Sequence, residues 1–160
     1  MNKPELLMAG VIKAPAKLKR FARFVRQVEQ IAEAIHEHKP DQIWIEGYAV
    51  KFRGAAINLI EYGGVLRYEL HMADISWQEV APTSAKLFAA AYGKATKEQL
   101  AEAIKGTWGL EHPDYNVTDS IGIALFGLAV HGRLINSAAQ MSPVYTWMEK
   151  NSATLNGVTI

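Results

Sequence analysis

Cysteine is missing from all 160 residues, which excludes disulfides and cysteine-ligated zinc and fits a reducing compartment. No apolar run approaches the roughly 20 residues that span a bilayer. Pro4 and Glu5 open the chain and no long apolar core follows them, so a signal peptide is not expected either. Net charge is only +1, against a uniformly basic nucleic-acid surface. There is no internal repeat, low-complexity tract or linker, and the length suits one compact domain. The histidines at 36, 38, 71, 112 and 131 follow no metal-ligand spacing. One further absence bears on chemistry. The opening apolar run, residues 6–12, carries no acid, and the acids ahead of Glu46 are Glu5, Glu29, Glu33, Glu37 and Asp41.

What is present reads as alternating strands and helices. Residues 6–12 (Leu-Leu-Met-Ala-Gly-Val-Ile) predict a short buried strand. Leu18, Phe21, Val25, Val28, Ala32 and Ile35 then recur at three- and four-residue spacing, an amphipathic helix over 16–37. Pro40 ends it. Residues 42–46 predict a second strand, apolar on consecutive positions and so buried on both faces. A helix over 54–72 contains Gly63-Gly64, a pair that points to close packing. Residues 75–80 give a third strand. Thr83 is placed to cap a short helix through Tyr92, with Gly93 at its end. Thr96-Lys97-Glu98-Gln99 has capping-box spacing and starts another helix. Residues 118–135 predict a buried helix capped by Asn116 or Thr118, and 137–160 read as a C-terminal extension to a domain of residues 1–136. The order implies an α/β domain with a partly parallel sheet. Ligands in such sheets gather at the carboxyl ends of strands.

Glu46 stands at such an end, and Asp119 opens the later helix. Hydrolysing a phosphodiester at neutral pH requires an activated water and neutralised charge, which divalent ions supply. Mg²⁺ takes hard oxygen ligands, so carboxylates distant in sequence must converge. Taken singly, each acid has an ordinary explanation: a glutamate after a strand is commonly solvated, and an aspartate in a first helical turn favours the helix dipole. Lys86, Lys94 and Lys97 would ordinarily face solvent, but a site that stabilises phosphate needs such cations, and Gly93 would admit a close backbone. Tyr48 and Phe52 suit stacking on an unpaired base as well as core packing. Charge is also segregated. Lys13, Lys17, Lys19, Arg20, Arg23 and Arg26 come with no acid among them; such segregation can mark a phosphate-facing edge, but by itself it reads as a solvated helix face.

The ordered set of motifs resembles the RuvC family of Holliday-junction endonucleases, in particular its phage-type members. The segments that carry the resemblance are Ile45-Glu46-Gly47-Tyr48, Ile60-Glu61-Tyr62-Gly63-Gly64-Val65, Val80-Ala81-Pro82-Thr83-Ser84-Ala85-Lys86, Gly93-Lys94-Ala95-Thr96-Lys97-Glu98 and Asn116-Val117-Thr118-Asp119-Ser120-Ile121. The resemblance implies an RNase H-like fold, a homodimer, and cutting of four-way DNA junctions with Mg²⁺ or Mn²⁺ in the cytoplasm of a bacterial or phage-infected cell. It makes Glu46 and Asp119 metal ligands and catalytic, Asn116 an auxiliary ligand, and Lys86 and Lys94 phosphate contacts. Tyr48, Phe52 and Lys97 join Lys94 on the DNA side.

The chain also departs from that pattern. Family members open on a strand ending in aspartate, and nothing here corresponds to it. Residues 6–12 match the family's third strand, so the first two are expected to be missing. Asn116 is an amide where some members have a carboxylate, Val117 replaces a glutamate, and Ala49 stands where an aromatic is usual. Two accounts are open: a chain that starts internally, or a degenerate member that binds junctions without cutting them.

Overall fold

Regular structure begins only at Arg20. The computed structural model describes residues 3–48 and 56–152. Among these, the elements run α1 (Arg20–His38), β1 (Trp44–Glu46), α2 (Ala56–Met72), β2 (Gln78–Val80), α3 (Pro82–Ala90), α4 (Lys97–Trp108), α5 (Tyr115–Val130) and α6 (Ala138–Lys150). The described residues group into two units, one of 10–43, 48 and 56–78, the other of 3–9, 44–47 and 79–152.

The sheet is smaller than the sequence suggests. β1 and β2 form its two strands among the described residues. Gln78 N donates to Ile43 O at 2.9 Å and Gly47 N to Val80 O at 2.8 Å. The pairing advances in the same direction along both strands, so they are parallel. Residues 6–12 are not a strand. They join no ladder, and Leu7 and Met8 are 87% and 65% exposed. An apolar run becomes a strand only when a neighbouring edge satisfies its backbone, and none pairs with it among the described residues. β1 is likewise not buried on both faces: Trp44 and Ile45 are partly covered and Glu46 is exposed, and among the described residues β1 pairs with β2 alone.

In the larger unit, α5 is the central helix, with ten of its sixteen residues buried. Phe88 of α3, Leu100 and Ile104 of α4, Leu125 and Phe126 of α5 and Val144 of α6 are all under 2% exposed. At about 25 cal/mol per Å² of apolar area, such side chains dominate the stability of the unit. Trp44 of β1 packs edge-on to Phe126 at 5.9 Å and against Trp147 at 4.9 Å. Within residues 137–160, α6 buries Met141 and Val144 in the same cluster as Phe88 and Phe126.

Local chemistry explains the element ends. Thr96 and Gln99 form a full capping box at the start of α4, as their spacing predicts. Gly109, at φ 74°, closes that helix in the left-handed region that glycine enters without strain. Thr83 does not cap α3. Pro82 takes the first helical position, where its fixed φ is already helical, and Ala81 becomes the N-cap with no side-chain bond. α3 also ends earlier than expected, at Ala90, with Ala91 at φ 57°. α5 begins at Tyr115, ahead of the expected 118, and neither Asn116 nor Thr118 is its cap. Asp114 is, accepting from Asn116 N at 2.8 Å.

The smaller unit pairs α1 with α2. Phe24 meets Tyr62 edge-on at 5.7 Å, Arg20 is ion-paired with Glu61, and Val28, Leu66 and Leu70 are buried. Gln27 and Gln30 of α1 donate to the carbonyls of Ile12 and Lys13, both at 3.2 Å, which fastens the extended segment before the helix. The glycine pair of α2 divides in role. A Cβ on Gly63 would fall 2.6 Å from the Tyr48 hydroxyl, whereas Gly64 faces open space.

Candidate nuclease site

Two helices and a strand of the larger unit bring polar groups to one recess. β1 delivers Glu46 at its carboxyl end, fixed by the bond from Gly47 N to Val80 O. α3 delivers Lys86 from its middle, and α5 delivers Asp119. Glu46, Lys86 and Asp119 line the recess together with Pro82, Ala85, Leu100, Gly122 and Ile123. The two acids, 73 positions apart in sequence, are therefore brought together by the fold.

The Asp114 cap decides where Asp119 points. With α5 starting at Tyr115, Asp119 lies in the second turn, and the first turn carries no acid. The dipole explanation for Asp119 weakens accordingly, since that effect fades beyond the first turn. One Asp119 oxygen, Oδ1, is buried with no hydrogen-bond partner among the described residues. An orphaned buried carboxylate oxygen is costly. The other, Oδ2, lies 3.7 Å from Lys97 Nζ.

Lys97 is the first residue of α4. Its ammonium donates to Asn116 Oδ1 at 2.6 Å and so links α4 to α5. Lys86 Nζ donates to the carbonyl of Ala95 at 3.0 Å, which tethers it to the loop before α4. Partial burial, and then the charge of Asp119, push the Glu46 carboxyl above the ordinary glutamate range, while Lys86 and Lys97 pull it back. Glu46 keeps part of its surface in water, so the desolvation is incomplete.

The donor set is short. Among the described residues no three acids or histidines cluster. Two carboxylates, one with an orphaned oxygen, offer hard oxygen ligands that fit a divalent cation such as Mg²⁺. The Asn116 amide oxygen is engaged by Lys97, whose ammonium also approaches Asp119.

The remaining expected residues lie elsewhere. Lys94 is exposed on the loop between α3 and α4. Tyr48 belongs to the smaller unit. Its hydroxyl donates to Ile60 O at 3.2 Å and accepts from Arg67 at 3.1 Å, and the Arg67 guanidinium sits 4.3 Å over its ring. One face of that ring is thus already covered. Phe52 falls outside the described residues. Asp114, the cap of α5, is not among the expected residues, although aspartate after Pro113 and before an apolar run is a start signal for a helix.

No helix among the described residues is long and apolar enough to cross a membrane. The family model described as "Crossover junction endodeoxyribonuclease RuvC" matches residues 1–127. A protein of that name from Aliarcobacter butzleri is 30% identical over 124 residues, covering 76% of this chain and 80% of its own. Another from Thermotoga petrophila is 31% identical over 127 residues, covering 77% and 76%. Thermus thermophilus RuvC superposes with a TM-score of 0.63 at 22% identity, over 79% of this chain and 80% of its own. The same protein in complex with a Holliday junction substrate gives 0.64 at 23%, over 79% and 78%. The fold is accordingly of the RNase H-like class, with a reduced parallel sheet in the described residues. The chain belongs to the crossover junction endodeoxyribonuclease RuvC family.

Proposed function

We propose that this chain is a divalent-metal-dependent endonuclease that cuts phosphodiesters in branched DNA, Holliday junctions above all. The observation that carries the reading is the shared recess of Glu46, Asp119 and Lys86. A Mg²⁺ or Mn²⁺ ion held by Glu46 and Asp119 would supply Lewis acidity and activate water at neutral pH. The chain's own groups do the rest. Glu46 and Asp119 would hold that ion, with the Asn116 amide oxygen, which accepts from Lys97 in the free chain, as an auxiliary ligand. Lys86, tethered through Ala95, presents a fixed positive charge to the scissile phosphate. Lys94, exposed on its loop, meets a neighbouring phosphate, and Lys97, also exposed, adds positive charge. Tyr48 and Phe52 engage the unpaired bases of the branch. The working form is a homodimer, which supplies two such sites for two strands, in the cytoplasm of a bacterial or phage-infected cell.

The test uses labelled four-way junction, plain duplex and RNA–DNA hybrid, each with Mg²⁺, with Mn²⁺ and with chelator. Paired incisions confined to the junction and lost on chelation are expected, and Glu46→Gln abolishes them. Equal cutting of all three substrates would overturn the junction reading.

A second reading rests on the shortage of acids. With two carboxylates and no third among the described residues, the chain would bind junctions as a dimer without cutting them. Tight, junction-selective binding that Glu46→Gln leaves unchanged, with no incision by the wild-type chain in either metal, would favour it.

A further inference from the structure

Residues 128–160 lie beyond the span that the family model matches, and α6 falls within them. No α6 residue lines the recess of Glu46, Lys86 and Asp119. This part of the chain nevertheless grips three elements at or beside the recess. Gln140 Nε2 donates to Phe88 O at 2.9 Å, and Asn136 Nδ2 to the same oxygen at 3.4 Å. Phe88 lies in the last turn of α3, where carbonyls have no partner within the helix, and it stands two residues after Lys86. Trp147 Nε1 donates to Glu79 O at 2.7 Å. Val80 turns its carbonyl towards β1, where it accepts from Gly47 N, so Glu79, one residue earlier, turns its own to the opposite edge of β2. The indole therefore satisfies an edge carbonyl that β1 cannot reach. The same ring packs against Trp44 at 4.9 Å, tilted by 52°. Trp44 is two residues ahead of Glu46, and its indole is pressed on Gly127 of α5, the helix that carries Asp119.

We infer that Trp147 is a positioning residue of this site: its indole, bridging Glu79 O and the Trp44 ring, fixes the carboxyl end of β1 and so the place of Glu46 in the recess it shares with Asp119. The inference rests on the nuclease reading above and deepens it. One side chain joins the two strands from outside their ladder. β1 is three residues long and pairs with β2 alone among the described residues, so the ladder by itself leaves its end weakly held. A hydrogen bond to one strand and a ring contact to the other supply what the short ladder lacks. Catalysis is sensitive to such placement, since a displacement of about 1 Å caused outside the chemistry can cost about 100-fold in rate. The apolar anchoring of α6 is a separate matter, carried by Met141 and Val144.

The experiment compares the full wild-type chain with Trp147→Phe and Val144→Ala. Phenylalanine keeps an apolar ring against Trp44 and loses the N–H, and Trp147 is only half-buried, so this variant is expected to fold. Val144→Ala loosens the packing of the same helix and leaves Trp147 in place. Amide hydrogen exchange, followed by nuclear magnetic resonance without metal or DNA, reads the Gly47 N–H against those of Leu125 and Phe126 in α5. Trp147→Phe should lower protection at Gly47 roughly tenfold, the scale of one lost hydrogen bond, and leave the α5 amides unchanged. Val144→Ala should lower all three together. Cleavage of a labelled four-way junction in Mg²⁺ should show kcat down by roughly 10- to 100-fold in Trp147→Phe, with KM within about twofold of wild type because the indole lies outside the recess. Equal loss at Gly47 and in α5, unchanged protection at Gly47, the same selective loss in Val144→Ala, or selective loss in Trp147→Phe with kcat intact would each overturn the role given to Trp147. Absence of cutting by the wild-type chain would overturn the nuclease reading instead, and the exchange data would still decide whether Trp147 holds β1.

Discussion

Gly127 and Trp44 are in direct contact: a Cβ on Gly127 would lie 2.5 Å from Trp44 Nε1 and 2.6 Å from Cδ1. The indole is rigid and is held on its other sides by Phe126 and Trp147, so it has little room to yield. Gly127→Ala should destabilise the chain by about 1–3 kcal/mol, the usual cost of overpacking a filled core. A urea midpoint shifted down at unchanged slope is the expected readout. An unaltered midpoint would mean that the indole has space the packing does not reveal.

Glu46 makes stability depend on pH in a definite direction. Its carboxyl is shifted upward from the model-compound value of 4.5, first by burial and then by Asp119. The folded chain therefore keeps this proton over a range in which the unfolded chain has released it. Stability is fullest below 4.5 and falls as pH rises through the folded value. Glu46→Gln removes this loss. In chelator-containing buffer the variant should melt higher than wild type at pH 7 and alike at pH 4, by a modest margin because Glu46 retains solvent contact. A variant less stable than wild type at pH 7 would refute the sign.

Asp114 is a lever on the site from outside it. Its side chain holds Asn116 N, and its carbonyl accepts from Val117 N and Thr118 N. Asp114→Ala should cost about 0.5–2 kcal/mol through loss of the cap. Fraying there also loosens Asn116 and Asp119, so junction cleavage should fall by more than the loss of folded protein explains. Asp114→Ser, a good cap, should recover both. Thermal melts and cleavage rates measured on the same preparations separate the two effects.

Asp119→Asn tests the shared ion. The substitution keeps the size of the side chain and removes its charge, so the fold should survive with its melting temperature little changed. Mn²⁺ binding should weaken and junction cleavage drop by at least about 100-fold, the scale on which a group acting on transition-state charge is felt. Cleavage within twofold of wild type would remove Asp119 from the metal site.

How much of this was legible in the sequence divides along local and non-local lines. The capping box at Thr96 and Gln99 and the amphipathic period of α1 are properties of neighbouring residues, and both were readable. The convergence of Glu46 and Asp119 was readable through the family resemblance and the rule of strand ends. A strand at residues 6–12 was not decidable locally, because pairing needs an edge contributed by some other segment. At the start of α5, Asp114, Asn116 and Thr118 are all competent caps, and only the tertiary fit of the buried face selects the first. At α3, the preset φ of Pro82 outweighs the hydroxyl of Thr83. The bond between Lys97 and Asn116 joins two helices 19 positions apart in sequence, and no spacing rule announces it.

Trp44 sits two residues ahead of Glu46 on the same short strand, its indole nitrogen buried without a partner among the described residues and its ring 4.9 Å from Trp147. Two indoles so close share their excited states, which gives the molecule an intrinsic optical gauge mounted on the backbone that carries Glu46. Any event that shifts β1, whether ion loading or a docking substrate, will register as a change in near-ultraviolet dichroism or emission, with no label attached.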